Sequence, residues 1–553
     1  MEFNLADLWE LVVDSIPDHE AVVDGHRRFT YLELDRRANR LAHQLANLGV
    51  GPGDHIALYL HNCVEYLEAM IASFKLRAVP INVNYRYVAD ELLYLLDDAD
   101  AVAIIYHPEF ATQVEQVMPA LPLLLHTIVV DSGYDAQLRH LDDGRGFAPR
   151  SGNDHYVLYT GGTTGMPKGI VWRHVDLFFA ALGGAGNGRT PISSPTDISQ
   201  RCMHGRIRVV TACPLMHGSA HWMAWSTLLT GGCVVLTDTR HFDAATVFAL
   251  TVAEQANFIV IVGDAFAIPM VDVLRATDSP LTCLNVIVSG GAVLSPAVKH
   301  ALIKELPQTI VVDGYGASET GGQGQAVTAL GSPAEATMFL LDETTEVLDE
   351  MTLQVAEVGT SGLLARRGHI PVGYYKDADK TAATFRTVAG VRWSVPGDHA
   401  IRNENGTVTL LGRGSLCINT GGEKVYPDEV ESQLKAHPSV FDAVVVGVAH
   451  ARFGERVVAL FQPRATSTIA DLDTEMALCA DILDSLRLHL AGYKIPKTLY
   501  RVDAIQRSPS GKPDYRWACE TATRLASEAS PPGAASRSSR AERAIDASEA
   551  SPL

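Results

Sequence analysis

The sequence predicts an α/β protein: a large N-terminal domain of stacked, mostly parallel α/β layers, followed by a smaller α+β domain. Three observations carry this. A chain of 553 residues is too long for one ordinary hydrophobic core, so at least two domains are expected. Hydrophobic residues make up 47% and charged residues 20%, a globular rather than a disordered balance. Short β-branched runs alternate with helical patterns through the first three-quarters of the chain, as parallel sheets covered by helices require.

Taken in order, the strand candidates are 56–60, 102–106, 127–130, 156–159, 209–213, 233–236, 258–262, 286–289 and 309–312. A helix ends near Leu48, where Leu41, Leu45 and Leu48 repeat at helical spacing and Gly49 supplies a left-handed stop. Another opens at Ser295-Pro296, a hydroxyl N-cap followed by proline in the first turn. The Pro/Ser/Thr-rich stretch 189–204 reads as an exposed loop insertion. After about residue 414 the pattern changes. A helix over 427–437 with Val430 and Leu434 on one face is followed by strands at 443–448 and 456–461 and a helix near 481–490. The expected domains are therefore 1–414 and 415–526, with a Ser/Ala/Pro/Glu-rich tail, 527–553, that lacks aromatic residues and should be disordered.

A net charge of -19 argues against nucleic-acid binding, which needs clustered Lys and Arg. A small polyanion can still be held locally by backbone N–H groups and one or two cations. The 8 cysteines form no CxxC pair and read as small apolar residues in a reducing compartment. The acidic N-terminus does not resemble a signal peptide, and no apolar run approaches a membrane span. A cytoplasmic protein without an integral membrane segment is expected; oligomeric state is not legible.

The string YTGGTTGMPKG, 159–169, follows a strand. Gly161, Gly162 and Gly165 let N–H groups turn toward one point, Thr160, Thr163 and Thr164 add hydroxyls, and Lys168 adds a positive charge. It is not a Walker A loop, because Met166-Pro167 intervene before Lys168. Local physics leaves two readings, a phosphate cradle and a Gly/Thr-rich surface turn. The string DGYGASETG, 313–321, offers a hydroxyl and a hard carboxylate oxygen, yet alone it could be a solvent-facing turn. The turns holding Gly290-Gly291-Ala292, Asp398 and Arg413 are locally no more distinctive than structural ones.

Together, in this order and from YLELDRRANRLAHQLANLGVGPGD to SPSGKPDYRWA, these motifs closely resemble the adenylate-forming enzymes: acyl-CoA synthetases, luciferases and peptide-synthetase adenylation domains. The resemblance implies that 160–168 cradles the β- and γ-phosphates of ATP and that Gly290, Gly291 and Ala292 lie against adenine. It implies nucleotide contacts along Asp313, Gly314, Tyr315, Gly316 and Ser318, with Tyr315 by the adenine, Ser318 on the α-phosphate and Glu319 holding Mg²⁺. Ser318 stands where the family usually has Thr, which keeps the hydroxyl. Asp398 and Arg413 match the pair that holds the ribose. Lys512 matches the adenylation lysine, whose charge bridges acyl and phosphate oxygens in the transition state.

The resemblance further implies a small C-terminal domain that is mobile. It rotates after adenylation, removes Lys512 and brings Gly421, Gly422 and Lys424 toward coenzyme A. At the pivot, where the family has Asp or Lys, this chain has Leu416. In PLMHG, 214–218, His217 corresponds to a gate beside the substrate carboxylate, and Ala220, Trp222, Met223, Gly263, Asp264 and Ala265 are candidate pocket walls. An aromatic/Met stripe at helical spacing is more often core than pocket. PLMHGS has no Asp to pair an α-amino group, which favours an acid without one. The stretches INVNYRY, GGTTGMPKGIVWRH and IPVGYYKDADKTAATFRT are similar to actinobacterial acyl-CoA synthetases for steroid side-chain and other bulky apolar acids. The expected partner is thus a hydrophobic carboxylic acid. Two alternatives remain: an acyl-AMP ligase that serves a carrier protein, and an inactive nucleotide-binding protein.

Overall fold

The computed structural model describes residues 2–160, 166–186, 190–205, 207–237, 240–277, 281–332, 338–420, 423–450, 454–464, 472–490, 492–507 and 511–528. The chain forms two compact units, Met1–Gly414 with Ser508–Lys512, and Ser415–Arg507 with Pro513–Leu553.

Among the described residues, two sheets build the first unit. In one, Glu20–Asp24, Cys233–Leu236, Arg208–Thr211, Phe258–Ile261, Val286–Gly290 and Ile310–Ala317 lie side by side in parallel register. In the other, the parallel set is His126–Val129, Ala101–Tyr106, His55–Tyr59, Val79–Asn82 and His155–Thr160, with Lys168–Arg173 and Gly373–Tyr374 added antiparallel. Strands such as Cys233–Leu236 and Val79–Asn82 are buried along their whole length, which is why they read as continuous apolar runs. All nine expected strands are present within a residue or two, apart from 309–312, which runs on to Ala317.

Several expectations need correction. Beyond Ile310–Ala317 the first sheet continues antiparallel through Gly321–Thr328, Met338–Leu341 and Thr407–Arg413 to Asp398–Arg402 and Ser361–Arg367, so it is parallel only in part. Of these strands, Gly321–Thr328 and Ser361–Arg367 contain glycine and polar residues and carry little β-branched signal. Within 189–204, Asp197–Cys202 is helical rather than looped. Its Ile198 and Cys202 are buried, and Asp197 accepts from the N–H groups of Ser193 and Ser194. The helix Tyr31–Asn47 buries Leu41 and Leu45, but Leu48 is its exposed C-cap. Ser295 does precede the helix Pro296–Glu305, yet its hydroxyl donates to Asp264 Oδ1 at 3.1 Å instead of capping.

In the second unit Val440–His450, Gly454–Pro463 and Thr498–Arg501 form a sheet, packed by the helices Pro427–Ala436 and Leu472–Arg487. The latter helix begins nine residues before the expected 481. The helix Tyr515–Glu528 covers the other face through Ala518 and Ala522. It runs to Glu528, two residues past the end of the expected domain at 526. Residues 529–553 lie outside the described residues. Among the described residues no helix is long and apolar enough to cross a membrane.

Candidate active site

Four neighbouring parallel strands end on one edge of the first sheet and deliver most of the expected residues there. Arg208–Thr211 leads into the PLMHG segment, Phe258–Ile261 into Gly263-Asp264-Ala265, Val286–Gly290 into Gly291-Ala292, and Ile310–Ala317 carries Asp313 to Gly316. Register sets Ser289 beside Asp313 and Gly290 beside Gly314. A Cβ on Gly263 would lie 3.0 Å from Ala292 Cβ and only 2.4 Å from Val293 O, so these turns touch. The carboxyl edge of parallel strands is where open α/β sheets bind ligands.

The PLMHG segment is pinned by side chains from other elements. Asn62 donates to Cys213 O at 3.1 Å and accepts Leu215 N–H at 2.7 Å. Buried Asn82 donates to Met216 O at 2.8 Å and to Tyr159 O at 2.8 Å, and accepts Tyr159 N–H at 2.7 Å. It thereby joins the strand His155–Thr160 to the residue before His217. His221 approaches Leu215 O at 2.9 Å through Nδ1. A carbonyl only accepts, so Nδ1 carries the proton and Nε2 accepts from the Tyr156 hydroxyl. Tyr156 in turn accepts Trp222 Nε1–H at 3.2 Å. Trp222 is therefore a fixed, half-buried side chain, with Met223 beside it in chain order, while Ala220 is fully buried. Asp264, also buried, accepts Ser295 N–H at 2.8 Å and so ties two helix starts together.

Burial, followed by the charges of Lys512 and Arg86, brings the His217 imidazole down to about 3, so it is neutral at physiological pH. Lys512 itself is solvent-exposed. A neutral imidazole can donate or accept one hydrogen bond to a carboxyl group without neutralising it.

Thr160 closes the strand His155–Thr160 and pairs with Lys168 across the hairpin. Gly161, Gly162, Thr163, Thr164 and Gly165 lie outside the described residues. Gly169 cannot carry a Cβ, which would sit 2.7 Å from the Tyr159 ring. The Lys168 ammonium forms an ion pair with Asp377, whose carboxyl it holds below the usual carboxylate range.

The DGYGASETG stretch is a β-hairpin rather than a loop, with its turn at Ser318–Thr320 and its return strand Gly321–Thr328. A Cβ on Gly316 would lie 2.2 Å from Gly321 O, so the hairpin needs glycine there. The turn's carbonyls are gripped one by one. Trp172 Nε1–H donates to Ser318 O at 3.0 Å, Ser394 Oγ to Glu319 O at 2.6 Å, and Arg366 to Thr320 O at 3.0 Å and to Gly322 O. The Tyr374 hydroxyl donates to Glu319 Oε1 at 2.8 Å. Tyr315 is half-buried, its ring 5.8 Å from that of Phe339. Asp313 is buried and paired with Lys299 Nζ at 3.0 Å; burial raises its carboxyl against that partner's pull.

Asp398 and Arg413 stand opposite each other on neighbouring antiparallel strands, and Asp398 is buried. Lys424 lies on the strand Glu423–Val425, while Gly421 and Gly422 lie outside the described residues. Leu416 ends a short 3-10 turn at the start of the second unit.

The family of AMP-binding enzymes matches residues 9–375, and its C-terminal domain matches 429–512. The chain belongs to the AMP-binding enzyme family. A 3-oxocholest-4-en-26-oate–CoA ligase of Rhodococcus rhodochrous is 42% identical, over 94% of this chain and 96% of that protein. A medium/long-chain-fatty-acid–CoA/3-oxocholest-4-en-26-oate–CoA ligase of Mycobacterium marinum is 41% identical, over 94% and 96%. The fold is that of ATP-bound MatB from Rhodopseudomonas palustris, with a TM-score of 0.80, 24% identity, and coverage of 95% of this chain and 100% of that one. Within this AMP-binding enzyme, motif reading missed Asn82, Trp172, Arg366, Tyr374, Asp377 and Ser394. Four of them lie inside the family-like stretches INVNYRY, GIVWRH and GYYKDADKT. Arg366 and Ser394 carry no local signal, since their partners come from distant strands.

Proposed function

We propose that this protein is an ATP-dependent acyl-CoA ligase that converts a hydrophobic carboxylic acid, long-chain or steroid side-chain, to its acyl-adenylate and then to a CoA thioester. The supporting observation is the joint delivery of the PLMHG, Gly290–Ala292 and Asp313–Glu319 segments to one sheet edge. Identity of 42% to a steroid-acid CoA ligase over 94% of the chain favours that acid class.

Residues 1–414 would form the adenylation domain and 415–526 the mobile domain, pivoting near Leu416. Gly290, Gly291, Ala292 and Tyr315 would bind adenine, and Asp398 with Arg413 the ribose. Thr160–Lys168 and Ser318 would hold the phosphates, with Asp313, Gly314 and Gly316 shaping the strand beside them. His217 would orient the substrate carboxylate between walls from Ala220, Trp222, Met223 and Gly263–Ala265. Lys512 would neutralise the two anions as the carboxylate oxygen attacks the α-phosphorus and pyrophosphate leaves. Gly421, Gly422 and Lys424 would then meet coenzyme A, whose sulfur displaces AMP.

Magnesium fits this set. Among the described residues no group of three His, Cys, Asp or Glu could cage a metal alone. Mg²⁺ instead takes one or two carboxylates together with substrate phosphates, and Glu319 offers one oriented carboxylate. When bound, it would offset charge on the departing pyrophosphate.

The test is a panel of medium and long fatty acids, steroid side-chain acids and aryl acids, assayed for pyrophosphate exchange and CoA esters. Acyl-AMP that accumulates untouched by CoA would replace this reading with a carrier-directed ligase. No acid-dependent exchange across the panel would leave only nucleotide binding. Lys512→Ala should abolish adenylation yet spare thioester formation from supplied acyl-AMP; equal loss of both would unseat the lysine.

A further inference from the structure

The turn that follows the strand Gly373–Tyr374 has no role in the functional reading above, yet it reaches both anion-handling motifs. Its strand pairs antiparallel with Lys168–Arg173, setting Tyr374 opposite Ile170, and Tyr375 N–H donates to Gly169 O at 2.8 Å. The turn is thus fastened to the strand that leaves the phosphate loop. Three residues further on, Asp377 caps the helix Ala378–Thr384 and pairs with Lys168. From the same turn the Tyr374 phenol crosses to the other motif and donates to Glu319 Oε1 at 2.8 Å.

Tyr374 is itself well fixed. It is 8% exposed, its N–H donates to Thr381 Oγ1 at 2.8 Å, and the Lys380 ammonium lies 4.4 Å over its ring. Glu319 has its carbonyl anchored by Ser394 at 2.6 Å, so its remaining freedom is rotation of the side chain. A phenol on one carboxylate oxygen removes that freedom and leaves the second oxygen for a cation. Partners of this kind orient a ligating group and commonly alter metal affinity by about 10–100-fold when removed.

We propose that Tyr374 is a positioning residue for metal–nucleotide binding: its hydroxyl orients the Glu319 carboxylate and registers it to the phosphate-loop strand. The proposal rests on the assignment of Glu319 as the magnesium carboxylate.

The experiment compares wild type, Tyr374→Phe and Glu319→Gln in the full chain. Mg²⁺ is titrated against binding of a fluorescent ATP analogue without acid, and free Mn²⁺ is counted by EPR as a second probe. Work is done at a temperature where circular dichroism shows all three folded. Tyr374→Phe should raise the metal concentration for half-saturation about 10-fold or more, and its deficit in pyrophosphate exchange should shrink as Mg²⁺ rises. If Glu319→Gln shifts the metal titration and Tyr374→Phe does not, the positioning role is refuted while the metal site stands. If Tyr374→Phe only lowers the melting temperature and exchange rate, with an unmoved titration, the tyrosine is structural and the proposal fails. If neither variant moves the titration, the Glu319 assignment falls and takes the proposal with it.

Discussion

Replacing Asn82 with alanine tests whether the strand His155–Thr160 and the PLMHG segment are held as one unit. Asn82 is buried and makes three hydrogen bonds, to Tyr159 O at 2.8 Å, from Tyr159 N–H at 2.7 Å and to Met216 O at 2.8 Å. Losing the two carbonyl contacts costs about 1 kcal/mol each, and leaving the buried Tyr159 N–H without its acceptor costs about 1–3 kcal/mol more. The expected destabilisation is therefore about 3–5 kcal/mol, at the high end for one substitution. Urea unfolding followed by tryptophan fluorescence measures it. Because Thr160 and His217 directly follow the tethered residues, acid-dependent pyrophosphate exchange should fall even where the variant is fully folded. A loss below about 1 kcal/mol with normal exchange would show that the two segments hold their places without Asn82.

Three further predictions follow from other parts of the first unit. The Lys168–Asp377 pair is partly exposed, with side chains at 38% and 21%, so it should add at most about 1 kcal/mol. Asp377→Asn should leave the melting temperature unchanged and tighten ATP-analogue binding at low salt by about two- to five-fold, by removing a counter-charge; weaker binding would contradict this. His174 is buried, its Nδ1 accepts Leu5 N–H at 3.3 Å, and burial lowers it from 6.5 to about 4. The unfolded chain therefore takes up this proton first, and stability falls as pH drops from 6.5 toward 4, by up to about 1.4 kcal/mol per pH unit. His221, lowered to about 4, acts in the same sense, while buried Glu68, raised to about 7, acts oppositely. Denaturant midpoints across this range should show a shallower acid decline for His174→Leu than for wild type; an unchanged slope would mean His174 is protonated in the fold. Finally, Gly316→Ala places a Cβ 2.2 Å from Gly321 O and should open the hairpin, lowering both melting temperature and nucleotide binding.

By itself the sequence determined which residues could do chemistry and which local elements would carry most of them. Buried parallel strands such as Val79–Asn82 are legible because both faces are apolar, and glycine strings mark turns by the backbone they permit. The antiparallel extension was not legible, because strands such as Ser361–Arg367 are stabilised by pairing with partners remote in sequence, here Asp398–Arg402, more than by their own composition. The helix Asp197–Cys202 was hidden for a related reason: its polar sequence is helical where Ile198 and Cys202 find apolar cover. Glu319 and Lys168 could be named from motif order, but motif order could not say what orients them. Tyr374, Trp172, Ser394 and Arg366 each satisfy a specific polar atom of the Ser318–Gly322 turn from elsewhere in the chain. Such bonds depend on distances of about 3 Å, and only the packed tertiary structure creates those distances.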